Sequence, residues 1–65
     1  MIKIILNNKE TETEEGTTVS ALLARMRIKK AAVWINGEQL KRSEYENRKV
    51  QAGDQVKILR VVAGG

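Results

Sequence analysis

The residues best placed for chemistry in this 65-residue chain are its last two, Gly64 and Gly65. The sequence has no histidine and no cysteine, which excludes thiol catalysis and the nucleophile pairs and zinc sites built on those residues. Because glycine has no Cβ, a terminal Gly-Gly can enter a narrow channel where a larger residue would collide. We therefore predict that the Gly65 carboxylate is the reacting group, presented to a reactive atom of another protein. The chain itself is predicted to supply no catalytic residue and no metal ligand.

The segment 62–65 is predicted to be a flexible tail, in which Val62, Ala63 and Gly64 thread into a partner. The alternative is that Gly-Gly marks only a disordered or truncated chain end, since termini are commonly frayed. Its value as a signal therefore depends on the elements that precede it.

The first half of the chain predicts a β-hairpin followed by a helix. Met1–Leu6 alternates with period two, Asn7-Asn8 tolerates left-handed backbone angles, and Lys9–Thr13 forms an exposed second strand. Thr17 or Thr18 is expected to cap the helix that follows. That helix carries one apolar stripe, which consists of Val19, Leu22, Leu23 and Met26.

The second half predicts shorter elements. Ala31–Ile35 is a β-prone run closed by an Asn36-Gly37 turn, and 43–47 is expected to be a brief helical turn capped by Ser43. A turn at 52–54 then leads into a last strand over 55–62. This order predicts a single α+β domain over 1–65, a β-grasp roll in which a mixed sheet of four to five strands packs on one helix.

With only one helix, one face of the sheet must remain largely in water. If Val56 and Ile58 point toward the helix, Leu59 and Val61 alternate onto the open face. The first and last strands of a β-grasp roll are central neighbours, so Ile5 is expected on the same face. These three residues are a candidate partner-docking surface, although single exposed aliphatic residues are ordinary on protein surfaces.

The formal net charge of +4 favours acidic partners without specifying one. The cluster Arg25, Arg27, Lys29 and Lys30 is interpreted either as the end of the helix, where cations complement its negative pole, or as part of a small basic RNA-binding module. Only Trp34 and Tyr45 are available to stack on bases, and they lie on different elements, which argues against nucleic acid. No apolar run is long enough for a membrane span or a signal peptide, so we expect a cytoplasmic protein.

Taken in order, five segments give the chain a resemblance to the ThiS-type sulfur carriers of the ubiquitin-like β-grasp group. They are Ile2–Asn7, Gly16–Val19 with Leu22-Leu23, Val33–Glu38, Ala52–Val56 and Val62–Gly65. No single segment is specific, but their order and spacing cover essentially the whole chain.

The resemblance implies a carrier rather than an enzyme, with no bound cofactor. A ThiF-type enzyme would use ATP and magnesium to adenylate the carboxylate of Gly65. Sulfur from a donor such as a cysteine desulfurase would then convert it to a thiocarboxylate. A ThiG-type thiazole synthase would receive that sulfur during thiamine biosynthesis.

MoaD-type carriers of molybdopterin synthesis have a similar fold and tail and are the nearest alternative. They tend to be longer and often carry prolines before the final glycines, whereas this chain has no proline. The thiamine branch is therefore preferred, with tRNA thiolation and other acceptors left open.

Overall fold

The computed structural model describes residues 1–61 as five strands, one α-helix and one short 3-10 helix. In chain order these are β1 (Ile2–Leu6), β2 (Lys9–Thr13), α1 (Val19–Arg25), β3 (Ala31–Ile35), β4 (Glu38–Gln39), the 3-10 helix (Arg42–Glu44) and β5 (Gln55–Arg60). Every strand predicted from the sequence is present, and β4 adds a two-residue edge strand after the Asn36-Gly37 turn.

The strands form one mixed sheet in the order β2-β1-β5-β3-β4. β1 and β5 are parallel at its centre, with Ile5 opposite Gln55, and the other pairs are antiparallel. One helix packed on a mixed sheet with parallel central strands is the β-grasp arrangement, so the predicted fold is confirmed. It also places the end of β5 beside the beginning of β3, with Arg60 opposite Ala31.

The core lies between α1 and one face of the sheet. Alternation along each strand supplies the sheet side, and the i, i+3, i+4 stripe of α1 supplies the other. The buried apolar residues include Ile4, Val19, Leu22, Leu23, Val33, Val56 and Ile58, and Met26 packs against them from the margin. The predicted inward orientation of Val56 and Ile58 is therefore confirmed.

Two turns that contain asparagine connect the strands of the two hairpins, β1 to β2 and β3 to β4. Asn7 and Asn8 have φ of 49° and 67°, and Asn36 and Gly37 have φ of 53° and 88°. Two consecutive left-handed residues give the turn type whose twist matches that of paired strands, and asparagine and glycine adopt it at the lowest cost. The Asn7-Asn8 turn thus fixes the register of β1 and β2.

Helix α1 is capped at both ends. Thr18 is the N-cap, and its hydroxyl accepts a hydrogen bond from the backbone N–H of Ala21 at 3.1 Å. At the other end the N–H of Arg27 donates to Ala24 and that of Ile28 to Leu23, at 3.1 and 3.0 Å, with Arg27 in the left-handed region at φ 58°. This is the Schellman arrangement, in which glycine usually occupies the position of Arg27.

Three sequence expectations need correction. The helical turn begins one residue early, at Arg42, and Ser43 lies inside it rather than capping it; the Glu44 carboxylate instead accepts from the backbone N–H of Lys41 at 2.9 Å. The last strand ends at Arg60 rather than at residue 62. The helix also ends at Arg25, so three of the four clustered cations lie beyond it.

Candidate docking face and carrier terminus

The face of the sheet that α1 leaves uncovered carries a shallow hollow. Ile5, Trp34 and Leu59 contribute to its lining, together with Gln55 and Lys57. Leu59 is 57% exposed, whereas Ile5 and Trp34 are partly buried. The structure therefore brings two of the three predicted docking residues, Ile5 and Leu59, into one surface feature.

A lysine divides the apolar part of this hollow. Lys57 lies between Gln55 and Leu59 on the outer side of β5, and its neighbour on β3 is Trp34. The Lys57 ammonium nitrogen lies 5.8 Å from the centroid of the Trp34 ring, within the range of a cation–π contact. A partner that covers this face must therefore accommodate a cation between two apolar contacts.

Trp34 was not assigned to a site by sequence reasoning, yet it supplies the largest side chain of the hollow. The available signal was strand parity, because Val33 and Ile35 are buried on one side and Trp34 must face the other. The pairing of Trp34 with Lys57 depends on the β3–β5 register and is not evident from either segment alone.

The third predicted docking residue, Val61, lies apart from the hollow. Its side chain is 52% exposed and borders a different depression, whose lining includes Arg27, Lys30 and Arg60. The backbone N–H of Val61 donates to the carbonyl of Lys30 at 3.1 Å. Val61 is thus held beside the start of β3, among basic residues.

The position of β5 within the sheet is fixed by asparagine side chains near both of its ends. The Asn7 side chain accepts from the N–H of Ile58 at 2.8 Å and donates to its carbonyl at 3.3 Å. The Asn36 side chain accepts from the N–H of Gln55 at 3.0 Å. Asn7 thereby continues the pairing of β5 past the last residue of β1, next to Leu59.

The predicted threading residues Val62, Ala63 and Gly64 and the predicted attachment residue Gly65 lie outside the described residues. Within residues 1–61, no group of three acidic, histidine or cysteine side chains is arranged to hold a metal ion. Over the same range, no helix is long and apolar enough to cross a membrane.

Of the two aromatic side chains weighed for stacking on bases, Tyr45 borders depressions that Lys29 and Lys30 also line, whereas Trp34 lies apart from the clustered cations. The Tyr45 hydroxyl donates to the carbonyl of Ala31 at 2.9 Å, and the Tyr45 ring is partly buried against the core. Trp34 lies under Lys57 on the outer face. An RNA-binding surface needs stacking platforms along a basic groove, and these two rings do not provide one together.

A small β-grasp domain with one open sheet face and its last strand at the sheet centre defines the ubiquitin-like class of protein. Residues 3–65 match the model of the ThiS family. The chain belongs to the ThiS family.

Individual relatives agree with that assignment. The chain is 33% identical to the protein named sulfur carrier protein ThiS of Escherichia coli, across 98% of this chain and 100% of the relative. It is also similar to the thiamine biosynthesis protein (ThiS) of Geobacter metallireducens, at 28% identity. The crystal structure of that protein superposes with a TM-score of 0.82, covering 98% of this chain and 100% of the other, and its solution structure with 0.80, covering 98% and 88%. The prediction of a ThiS-type carrier rather than an enzyme is confirmed at the level of the family.

Proposed function

We propose that this protein carries sulfur as a thiocarboxylate on Gly65 and delivers it to thiazole formation in thiamine biosynthesis. The observation that carries the proposal is the family match, which extends through the terminal Gly64-Gly65 pair, together with the names of the relatives. The composition supports it, because a chain without cysteine has no thiol on which to hold sulfur as a persulfide.

The chemistry requires activation by another protein. A carboxylate is a poor electrophile, so one oxygen of the Gly65 carboxylate first attacks the α-phosphorus of ATP and releases pyrophosphate. The terminal sulfur of a persulfide then attacks the carbonyl carbon and expels AMP. A second thiol cleaves the sulfur–sulfur bond and is itself oxidised to a disulfide, which leaves one sulfur on the carbonyl carbon.

In this cycle a ThiF-type enzyme supplies the ATP and magnesium site, and a cysteine desulfurase supplies the persulfide. This chain contributes the reacting atom and a folded body that docks. Docking holds Gly65 at high effective concentration at the active site, so the reaction becomes effectively unimolecular. Ile5, Leu59 and Val61 are the proposed docking residues, and Val62, Ala63 and Gly64 are proposed to thread toward the active site.

The test is an intact-mass measurement after incubation with ATP, magnesium, the ThiF-type enzyme of the same organism and a persulfide donor. The expected product is heavier by the exchange of one oxygen for sulfur, with fragmentation placing the sulfur on Gly65. Deleting Gly65, or appending one alanine, is expected to abolish the change. The matched control exchanges Glu14 and Glu15 for glutamine, which removes two side-chain carboxylates but keeps Gly65. This variant is expected to gain sulfur as the wild type does. An unchanged mass with an enzyme that is demonstrably active would refute the proposal.

The acceptor is tested separately. The thiocarboxylate form is mixed with a ThiG-type thiazole synthase and, in parallel, with a molybdopterin synthase large subunit. Sulfur is expected to be lost only to the thiazole synthase, in the presence of its other substrates. Transfer to the molybdopterin enzyme alone would move the protein to the MoaD-type branch while preserving its role as a sulfur carrier.

A further inference from the structure

Four exposed cations surround the point at which the described chain ends. Arg27, Lys29, Lys30 and Arg60 line one depression together with Val61. These four cations form the basic collar. The hydrogen bond from Val61 to the carbonyl of Lys30 fixes the last described residue among them.

The collar is not explained by helix termination. A cation complements the negative pole of a helix within its last turn, and in α1 that position belongs to Arg25. The Arg25 guanidinium instead donates to the Thr13 hydroxyl at 3.1 Å, which gives it a structural role. Lys29 and Lys30 follow the helix, and Arg60 comes from β5, so the collar is assembled by the fold from separate segments.

One member of the collar is kept at a cost in stability. Arg27 has φ of 58°, at the helix-terminating position where glycine is usual. A left-handed conformation costs a residue with a side chain about 1–2 kcal/mol. A strained residue at an exposed position is a candidate for a role other than folding.

The collar lies at the opposite end of the sheet from two acidic residues, Glu14 and Glu15. β1 and β5 are parallel, so Arg60 lies at the end of the sheet toward which β1 runs. Glu14 and Glu15 follow Thr13, which is paired with Ile2 at the opposite end. A local concentration of like charges such as the collar raises the rate of association with an oppositely charged partner.

The partner that reacts with Gly65 has to approach this end of the molecule. Four residues reach at most about 14 Å when fully extended, so an enzyme that binds the terminal carboxylate must come within that distance of Val61. Its surface around the entrance for residues 62–65 therefore faces the basic collar.

We infer that the basic collar docks against an acidic rim around the tail entrance of the enzyme that activates Gly65, and that this contact steers the association. The inference rests on the proposed function. A protein partner is favoured over RNA because Tyr45 is the one described aromatic side chain that borders the collar residues, and it is partly buried with its hydroxyl donating to the carbonyl of Ala31. A single ring held in this way provides no run of stacking platforms for bases. Charges at the rim of an interface act mainly on the association rate and its salt dependence.

The test measures the association rate of the full-length protein with the fluorescently labelled ThiF-type enzyme at several ionic strengths. Reversing two collar charges with Lys29→Glu and Lys30→Glu is expected to slow association at low salt by about tenfold and to flatten the salt dependence. The control is Lys9→Glu with Lys49→Glu, which makes the same change in net charge at other exposed positions. It is expected to slow association less than threefold, roughly the effect of net charge alone.

Arg27→Gly separates binding from folding. Because glycine relieves the left-handed strain, the melting temperature is expected to stay the same or rise. The association rate is nevertheless expected to fall by roughly threefold, as loss of one rim charge does. A purely structural role for Arg27 predicts a change in stability with no change in rate.

The collar inference is overturned if both double variants associate with the enzyme equally fast. Binding to single-stranded RNA is measured in parallel at low salt, and a collar variant that loses only RNA binding also overturns the inference. The same samples are assayed for sulfur loading. If the wild type is loaded normally and the collar variants associate as fast as the wild type, the collar inference is refuted and the carrier function is preserved. Absence of loading by an active enzyme refutes both.

Discussion

The six residues of β5 alternate between the two sides of the sheet, and the two sides serve different purposes. Val56 and Ile58 face α1 and are 2% and 6% exposed, whereas Lys57 and Leu59 face the open side, where Leu59 is 57% exposed. The inner residues contact a helix of the same chain. The outer residues line a hollow in which Trp34 and Lys57 are in cation–π contact.

This difference shows how a 65-residue chain separates stability from recognition. A domain of this size has only one core, which seldom supplies more than about 3–5 kcal/mol, so its inner positions tolerate little change. The outer side of the same strand is free for binding because the backbone of β5 bonds within the sheet, to β3, to the end of β1 and to the Asn7 side chain. Substitutions at adjacent positions should therefore have unrelated consequences.

The largest effect is expected at the inner face. Ile58→Ala removes a buried side chain and leaves a cavity, at a cost of about 3 kcal/mol in the free energy of unfolding. Urea denaturation followed by circular dichroism should show the unfolding midpoint shifted strongly toward zero urea. Leu59→Ala is the neighbouring control and should lose less than about 1 kcal/mol, since exposed positions contribute little. Equal losses at both positions would mean that the two sides of β5 are not distinct.

The next effect concerns the asparagine that continues the pairing of β5. Asn7→Gly keeps the left-handed backbone but removes both side-chain hydrogen bonds to Ile58, which should cost about 1–2 kcal/mol. Asn8→Gly is the matched control in the same turn and should be neutral or slightly stabilising. Thermal unfolding distinguishes the two. A neutral Asn7→Gly would show that the side-chain contact adds nothing beyond the turn.

The outer face should respond in binding rather than in stability. Leu59→Ser is expected to raise the concentration of carrier needed for half-maximal sulfur loading by about tenfold, equivalent to about 1.4 kcal/mol of docking energy. Its unfolding curve should overlay that of the wild type within about 0.5 kcal/mol. Lys3→Ser, on the outer side of β1, is the control and should leave loading unchanged. Unaltered loading by the Leu59 variant would remove the hollow from the docking interface.

The smallest effect is expected at the cation–π pair. Lys57→Met keeps the length of the side chain but removes its charge above Trp34, which should cost about 0.5 kcal/mol in stability. The same change makes the hollow continuously apolar. Trp34 fluorescence should shift in the folded state of this variant and stay constant in Lys3→Met. No spectral shift would mean that Lys57 does not occupy the ring face in solution.

Most of the fold was predictable because its signals are local. Period-two alternation in β1, the Asn7-Asn8 turn and the i, i+3, i+4 stripe of α1 each occupy a few consecutive residues. The prediction that Ser43 caps the helical turn was wrong. The Glu44 carboxylate accepts from the backbone N–H of Lys41, so the 3-10 helix begins before Ser43 and does not use the Ser43 hydroxyl as its cap. The predicted strand also continued past Arg60, since Val61 and Val62 are β-formers whose sequence does not show where pairing with β3 stops.

The site was less predictable, because its contacts join distant segments. Asn7 and Ile58 are 51 residues apart, and nothing near Asn7 indicates a role beyond the turn. The grouping of Val61 with Ile5 and Leu59 followed from alternation alone. In the structure Val61 lies by Lys30, because β5 reaches the start of β3 at that point.

The parallel pairing of β1 and β5 has a practical consequence for handling the protein. From the level of Ile2 to that of Arg60 the sheet extends about 26 Å, given the register and the rise of a strand. A purification tag or dye attached ahead of Ile2 would therefore emerge at the opposite end of the sheet from Arg60. The same attachment placed after Gly65 would consume the carboxylate in a peptide bond, and the proposed function predicts that the product is an inert decoy.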